Sequence, residues 1–431
     1  MEEEKIEEKN NDKKLTNSNK VVFIILAILV IILVGLSIIM NKNNEKKNEK
    51  KPHVPNEVKI DGFTYSFLKM EANKENMVYS PLSIKYALNM LNDGASGNTK
   101  DEITKVIGEE MPTKYDNIDK VLSLANSVFL RDTYKEYVEN KYIDALKDKY
   151  NAELFYDNFK NADNINNWIE EKTFNIIKDM LKDSDVQNPD LEMVLVNALA
   201  IDMEWMYEFE AKNTSGKTFY KDNGEESLVA MMHESNSINS YKFFKDENYS
   251  AVTIPLKDYN GTQLEFVAVM PTDEELHSFI TNDDFDSKLT NILSGLHSVN
   301  ENQELSISLP RFEFDFNLNL VDDLKKLGIK DAFDDYSANF SNMSKKGLFV
   351  GDAKHKADIK LSEKGIKAAA VTVIMMFDKS AMPVEKDYVY LNFNKPFMFL
   401  IRDAKNEEVW FSGTVYEPLL WEDVKEEYKY K

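Results

Sequence analysis

Between residues 80 and 94, SPLSIKYALNMLNDG sets Ile84, Ala87, Leu88 and Leu91 at i, i+3, i+4 and i+7, which is one apolar face of a helix. Ser80 is a natural N-cap, Pro81 suits the first helical position, and Gly94 suits the exit. NINNWIEEKTFNIIKDML, 164 to 181, repeats that period with Ile165, Trp168, Ile169, Ile177, Met180 and Leu181 on one stripe, and predicts a second helix. From residue 303 the period falls to two. QELSISLPRFEFDFNLNL alternates Leu305, Ile307 and Leu309, then Phe312, Phe314 and Phe316, with polar partners, as half-buried antiparallel strands do. LEFVAVMP, DYVYLNF, FMFLIRD and EVWFSGTVY predict further strands. Helices in the first half and strands in the second predict a mixed α+β domain rather than alternating βαβ units. No internal repeat or low-complexity break follows residue 57, so residues 57–420 are expected to form one large domain, with 421–431 as a C-terminal tail.

One stretch has no period at all. VVFIILAILVIILVGLSIIM, 21–40, has no charge over its length, enough at about 1.5 Å per residue to cross a hydrocarbon core of roughly 30 Å. It predicts a transmembrane helix. The competing reading is a cleaved signal peptide, whose apolar region is usually about 7 to 15 residues and ends at a small-x-small site. Neither feature is present, which favours an uncleaved signal anchor. Residues 1–20 and 41–56 are Lys, Glu and Asn with few apolar side chains, and read as a cytoplasmic tail and a flexible stalk. Lys13, Lys14 and Lys20 precede the span while Lys42, Lys46, Lys47, Lys50 and Lys51 follow it, so flanking charge does not place the C-terminal side outside.

Composition narrows the chemistry. The chain has 431 residues, 43% of them hydrophobic, and a net charge of -22, which argues against a nucleic-acid partner because phosphate contacts need clustered Lys and Arg. With no cysteine there is no disulfide, thiol nucleophile or cysteine-ligated zinc. His53, His233, His277, His297 and His355 include no pair spaced to put two metal ligands on one helical turn. A G-x-S-x-G elbow, a P-loop and a dinucleotide glycine pattern are all missing, and 75 carboxylates make any chosen pair uninformative as an acid/base dyad. Nothing positive points to an enzyme, a metal or a cofactor.

Six pieces of sequence taken in order do point elsewhere. NMVYSPLSIKYALNMLNDGASGNTKDEI (76 to 103), NALAIDMEWMYEF (197 to 209, with Asn197, Trp205 and Phe209), LPRFEFDFNLNLVDDLKKLGIKDAF, LFVGDAKHKADIKLSEKG, FNKPFMFLI and WFSGTVYEP together resemble the serpins, over essentially all of residues 57 to 418. Serpins are serine protease inhibitors that act as suicide substrates. The resemblance implies a serpin fold, a large central mixed sheet with surrounding helices and an exposed reactive loop.

EKGIKAAAVTVI, 363 to 374, matches the hinge of that loop, which in serpins inserts after cleavage as a new strand of the sheet. The residue types suit an inserting strand. One face carries Ile366, Ala368, Ala370, Thr372 and Ile374, all small or β-branched, while Lys367, Ala369, Val371 and Val373 lie on the other. Glu363 precedes the pivot and Gly365 gives it backbone freedom. Ile366 departs from the threonine or serine that inhibitory members usually carry. Read alone, the stretch also fits an Ala-rich helix.

By the family spacing from Glu363, the scissile bond is expected between Lys379 and Ser380, although a bond after Asp378 would change the target class. Lysine there fits proteases with a carboxylate at the base of the specificity pocket. The resemblance places Ser80, Ser83, Asn197 and His355 in the family's central polar cluster, the shutter where the sheet parts, and Trp205 at the breach where the loop first enters. The expectation is therefore a monomeric, extracellular inhibitor of trypsin-like serine proteases, held at the cell membrane by a single pass at 21–40. The alternative is a non-inhibitory serpin-fold binding protein.

Overall fold

The computed structural model describes residues 62–236, 240–300, 302–366 and 387–428, all within one compact unit, Val58–Lys431. The predicted span 21–40 and its flanks lie outside the described residues, as do Ala368, Ala369, Ala370, Thr372, Lys379 and Ser380. Among the described residues no helix is long and apolar enough to cross a membrane.

Helix α1 (Gly62–Met70) leads through strand β1 (Met77–Tyr79) to α2 (Pro81–Gly94), which starts where its cap and proline predict. Beyond the expected face, Tyr86, Asn89 and Met90 of α2 are also buried, because the helix is covered on several sides. Next come α3 (Gly97–Ile107), the long strand β2 (Leu122–Arg131), α4 (Asn140–Tyr150) and β3 (Glu153–Asp157). The helix expected over 164 to 181 is shorter: α5 covers Asp163–Lys172 only. Phe174 and Asn175 both take positive φ, 54° and 60°. Thr173 draws the backbone aside, its hydroxyl donating to the Ile169 carbonyl at 2.7 Å and accepting from the Ile177 amide at 3.1 Å. Ile177 is still buried, now from an irregular segment.

A single turn, α6 (Asp183–Val186), precedes β4 (Met193–Ile201) and the two-residue β5 (Met203–Glu204). Then come β6 (Ser215–Tyr220), β7 (Glu226–Asn236), β8 (Lys242–Lys245), β9 (Tyr249–Tyr259) and β10 (Thr262–Pro271). Helices α7 (Leu276–Thr281) and α8 (Phe285–Ser294) separate these from β11 (His297–Ser298), β12 (Gln303–Pro310) and β13 (Phe312–Asn319). The last elements are α9 (Leu320–Leu327), β14 (Lys354–Ser362), β15 (Gly365–Ile366), β16 (Asp387–Asn392), β17 (Phe397–Asp403), β18 (Val409–Val415) and α10 (Trp421–Val424).

The class is α+β, but helices and strands are more interleaved than the sequence suggests. β2 and β4 lie in the first half and α7 to α9 in the second. β2, LSLANSVFLR, is buried on both faces, so it has no period of two to read. The alternating run 303 to 320 divides at Arg311 into strands of different sheets, β12 pairing parallel with β16 and antiparallel with β7, and β13 antiparallel with β14.

Sheet order among the described residues is β1-β18-β17-β10-β9-β8-β11, then β16-β12-β7-β6, and two shorter runs, β3-β2-β4 and β13-β14-β15-β5. β5 continues β4 after a single residue, Asp202, so these two runs share one strand position and form halves of one mixed sheet. Phe266 of β10 stacks on Phe399 of β17 at 5.8 Å, Phe312 of β13 lies 5.4 Å from Phe399, and Trp205 stands edge-on to Phe266 at 5.8 Å. This aromatic cluster packs the seven-stranded sheet against the divided one.

Candidate functional site

The divided sheet has, among the described residues, a strand position that is only partly filled. Among the described residues β4 forms a ladder with β2 alone, and no ladder joins it to β14. Between them, at one end, lies β15. Gly365 and Ile366 pair antiparallel with Ser362 and Leu361 of β14 on one side and with Glu204 and Met203 of β5 on the other. Continuing that line, a cavity of about 20 Å³ opens between Leu199, Ala200 and Ile201 of β4 and Asp358, Ile359 and Lys360 of β14, with Ile401 and Phe411 also lining it. That volume holds about one water and no peptide, so a longer strand needs β4 and β14 to move apart. Ile366 lines the cavity and is buried, which places its larger side chain already inside the sheet.

Gly365 is required where it stands. Its φ is 151°, and a Cβ there would come within 2.2 Å of the Met203 carbonyl oxygen and 2.7 Å of Glu204 Cα. Trp205, fully buried, closes the same end: its indole N–H donates to the Ser362 carbonyl at 2.9 Å and its amide to the Lys364 carbonyl at 2.9 Å. Glu363 turns its carboxylate inward. Oε1 accepts from the Thr214 hydroxyl at 2.7 Å and from the Tyr428 hydroxyl, and Oε2 lies 3.8 Å from Arg311 Nε. Arg311 has a nearly buried side chain, at 6% exposure, so this charge requires a partner.

The far end of β14, about 20 Å away at roughly 3.3 Å per residue, carries a second tie. The Ser80 amide donates to His355 Nε2 at 3.0 Å, and Ser80 Oγ accepts from the Ser83 amide at 3.0 Å. The Ser83 hydroxyl donates to Asn197 Oδ1, Asn197 donates to Asn126 Oδ1 at 2.8 Å, and Asn126 donates to the Tyr150 carbonyl at 2.9 Å. The chain of bonds runs from β14 through the start of α2 to β4 and β2, so it spans the gap. His355 is enclosed, and burial lowers its pKa to about 4, which keeps the ring neutral with Nε2 as acceptor.

With this geometry in view, residues 60–418 match the family described as Serpin (serine protease inhibitor). The chain belongs to the serpin family. It is similar to neuroserpin of Mus musculus, 29% identical over 384 residues that cover 82% of this chain and 89% of that protein. Among solved structures, the thermophilic serpin tengpin in its native state is 26% identical with a TM-score of 0.69, covering 84% of this chain and 96% of that one. Thyroxine-binding globulin in complex with thyroxine, 24% identical with a TM-score of 0.66 and covering 83% of this chain and 96% of that one, shares the fold alone.

In this serpin the structure gathers Ser80, Ser83, Asn197 and His355 at one end of the gap, and Trp205, Glu363, Gly365 and Ile366 at the other. Sequence reasoning missed Asn126, Arg311, Thr214 and Tyr428. Two of these leave a signal: Asn126 is a lone amide in an apolar run, and Arg311 is a charge set where one alternating strand meets the next. Thr214 and Tyr428 have none, since their partner Glu363 is distant in sequence.

Proposed function

We propose that this serpin inhibits trypsin-like serine proteases as a suicide substrate, acting outside the cell while tethered through residues 21–40. The observation that carries the reading is β15: two hinge residues already paired between β5 and β14, at the mouth of a strand position left open below them. The protease serine attacks the Lys379 carbonyl and the Lys379–Ser380 peptide bond breaks. The Ser380 amine leaves with the proton, and Lys379 remains ester-linked to the enzyme. The freed segment from Lys367 onward then extends β15 into the gap faster than water cleaves the ester. Ala368, Ala369, Ala370 and Thr372 offer little bulk to obstruct it.

The cluster from His355 to Asn197 acts as the shutter, exchanging hydrogen bonds as β4 and β14 separate, and Trp205 marks the breach. The protein works as a monomer and needs no cofactor. Orientation follows from use: an inhibitor of this kind serves outside the cell, and long domains translocate largely regardless of flanking charge.

The test mixes the full chain with a trypsin-like protease and separates the products on denaturing gels. We expect a boiling-resistant band at the summed mass, absent for Lys379→Ala and retained for a surface-lysine control such as Lys425→Ala. Cleavage near residue 379 without that band would refute trapping and leave a non-inhibitory serpin; no cleavage at all would refute the bond or the protease class.

A further inference from the structure

The family match ends at residue 418, yet the next ten residues are tied into the domain beside the hinge. The Leu419 amide donates to the Arg311 carbonyl at 2.9 Å, and its carbonyl accepts from the Ala230 amide at 3.0 Å. Leu420 bridges to Val229 of β7. The Trp421 ring lies over Gly216, where a Cβ would come within 2.8 Å of it, and Val424 of α10 is buried. The chain then turns back so that Tyr428 stacks on Trp421, with ring centroids 5.3 Å apart. From there its hydroxyl reaches both Glu363 Oε1 and Arg311 Nη1, while Glu427 Oε2 accepts from Arg311 Nη1 at 2.9 Å.

We propose that residues 419–428 form a strap that holds the pivot of the hinge, and so sets how readily the strand beginning at Gly365 lengthens into the gap between β4 and β14. Glu363 ends the β14 side of the β14–β15 turn, two residues before Gly365. Its carboxylate joins three elements: the segment at Thr214, the β12–β13 corner at Arg311, and the strap at Tyr428. Widening the gap requires β14 to shift, and a shift of its end pulls this carboxylate from its donors. Burial and the neighbouring Glu363 raise the Tyr428 phenol above its ordinary pKa, so the hydroxyl stays protonated and remains a donor at physiological pH. The Glu427 carboxylate, by pairing with Arg311, keeps the guanidinium oriented on the same junction.

This inference rests on strand lengthening as the working motion, but its readout needs no protease. Amide hydrogen exchange over residues 361–366 is measured in the full chain and in Tyr428→Phe, which keeps the ring on Trp421 and removes only the hydroxyl. Glu427→Gln is the second variant, and Lys425→Ala, paired with Glu422 on the same segment, is the control. We expect Tyr428→Phe, which removes the hydroxyl's bonds to both Glu363 and Arg311, to speed exchange at the hinge by about tenfold or more. Glu427→Gln should follow in the same direction, Lys425→Ala should match the parent, and β10 and β17 should be unchanged in all. Unaltered hinge exchange in both Tyr428→Phe and Glu427→Gln would overturn the strap. Equal acceleration at β10 and β17 would overturn it too, since the tail would then serve global stability alone. A loosened hinge in a chain that traps no protease would leave the strap standing and remove the inhibitory reading.

Discussion

Gly365 is the residue with the least freedom to change. Its positive φ and the Met203 carbonyl 2.2 Å from a would-be Cβ act together, so Gly365→Ala is strained in its backbone conformation and also collides with neighbouring backbone. We expect the substitution to cost on the order of 2 kcal/mol or to unseat β15 altogether. Urea unfolding combined with hydrogen exchange over residues 361–366 separates these outcomes, and a variant with parental stability and parental exchange would contradict the geometry. The sequence already marked this glycine as a pivot, but not the reason: the obstacle is the backbone of Met203 and Glu204, more than 150 positions away in the chain. Ile366 illustrates the same limit. Its β-branched shape was legible, whereas the cavity that receives it is formed by β4, β14, β17 and β18, whose assembly no local pattern reports.

At the scale of elements, the sequence revealed what has a clean period and a cap. α2, β12 and β13 were readable for that reason, and β10, β17 and β18, though buried on both faces, as apolar runs. The equally buried β2 was hidden because Ser123, Asn126 and Ser127 interrupt its run, and α5 was overextended because an apolar stripe continued past Thr173. The polar tie across the gap was half legible: the resemblance supplied four of its members, and Asn126 completes it on β2. The tie also has a pH dependence with a definite sign. His355 titrates near 4 in the fold, through desolvation, against about 6.5 in an unfolded chain. The unfolded state therefore binds more protons between these values. The contribution of His355 is fully present above about pH 6.5 and is lost as pH falls toward 4, by on the order of 3 kcal/mol in total. Protonation would also set a new N–H against the Ser80 amide that now donates to Nε2. We expect stability to urea to fall more between pH 7 and 4.5 in the parent than in His355→Gln; parallel pH profiles would show that His355 is not the group responsible.

At the scale of the molecule, the strand position between β4 and β14 is filled only by β15, at one end, among the described residues. Among the described residues no ladder joins β4 to β14: β4 pairs with β2, and β14 pairs with β13 and, at one end, with β15. If the proposed function holds, such a state would persist through a barrier, to which the polar tie, Trp205 and the strap would contribute, rather than through equilibrium stability. On the proposed function, cleavage inside the loop would free the segment after Ile366 to enter the gap. If about ten residues pair on insertion at roughly 1 kcal/mol each, and a domain of this size gains about 1.3 °C per kcal/mol, the thermal midpoint should rise by about 13 °C. The experiment uses a protease that cuts within 367–386 but is not trapped, with melting followed by circular dichroism before and after cleavage. A cleaved chain that melts at or below the intact one would mean that the gap is closed in solution or that the loop cannot enter it. In Gly365→Ala the same cleavage should give a smaller rise, because the strand would then have to extend from a pivot that is no longer seated between β5 and β14.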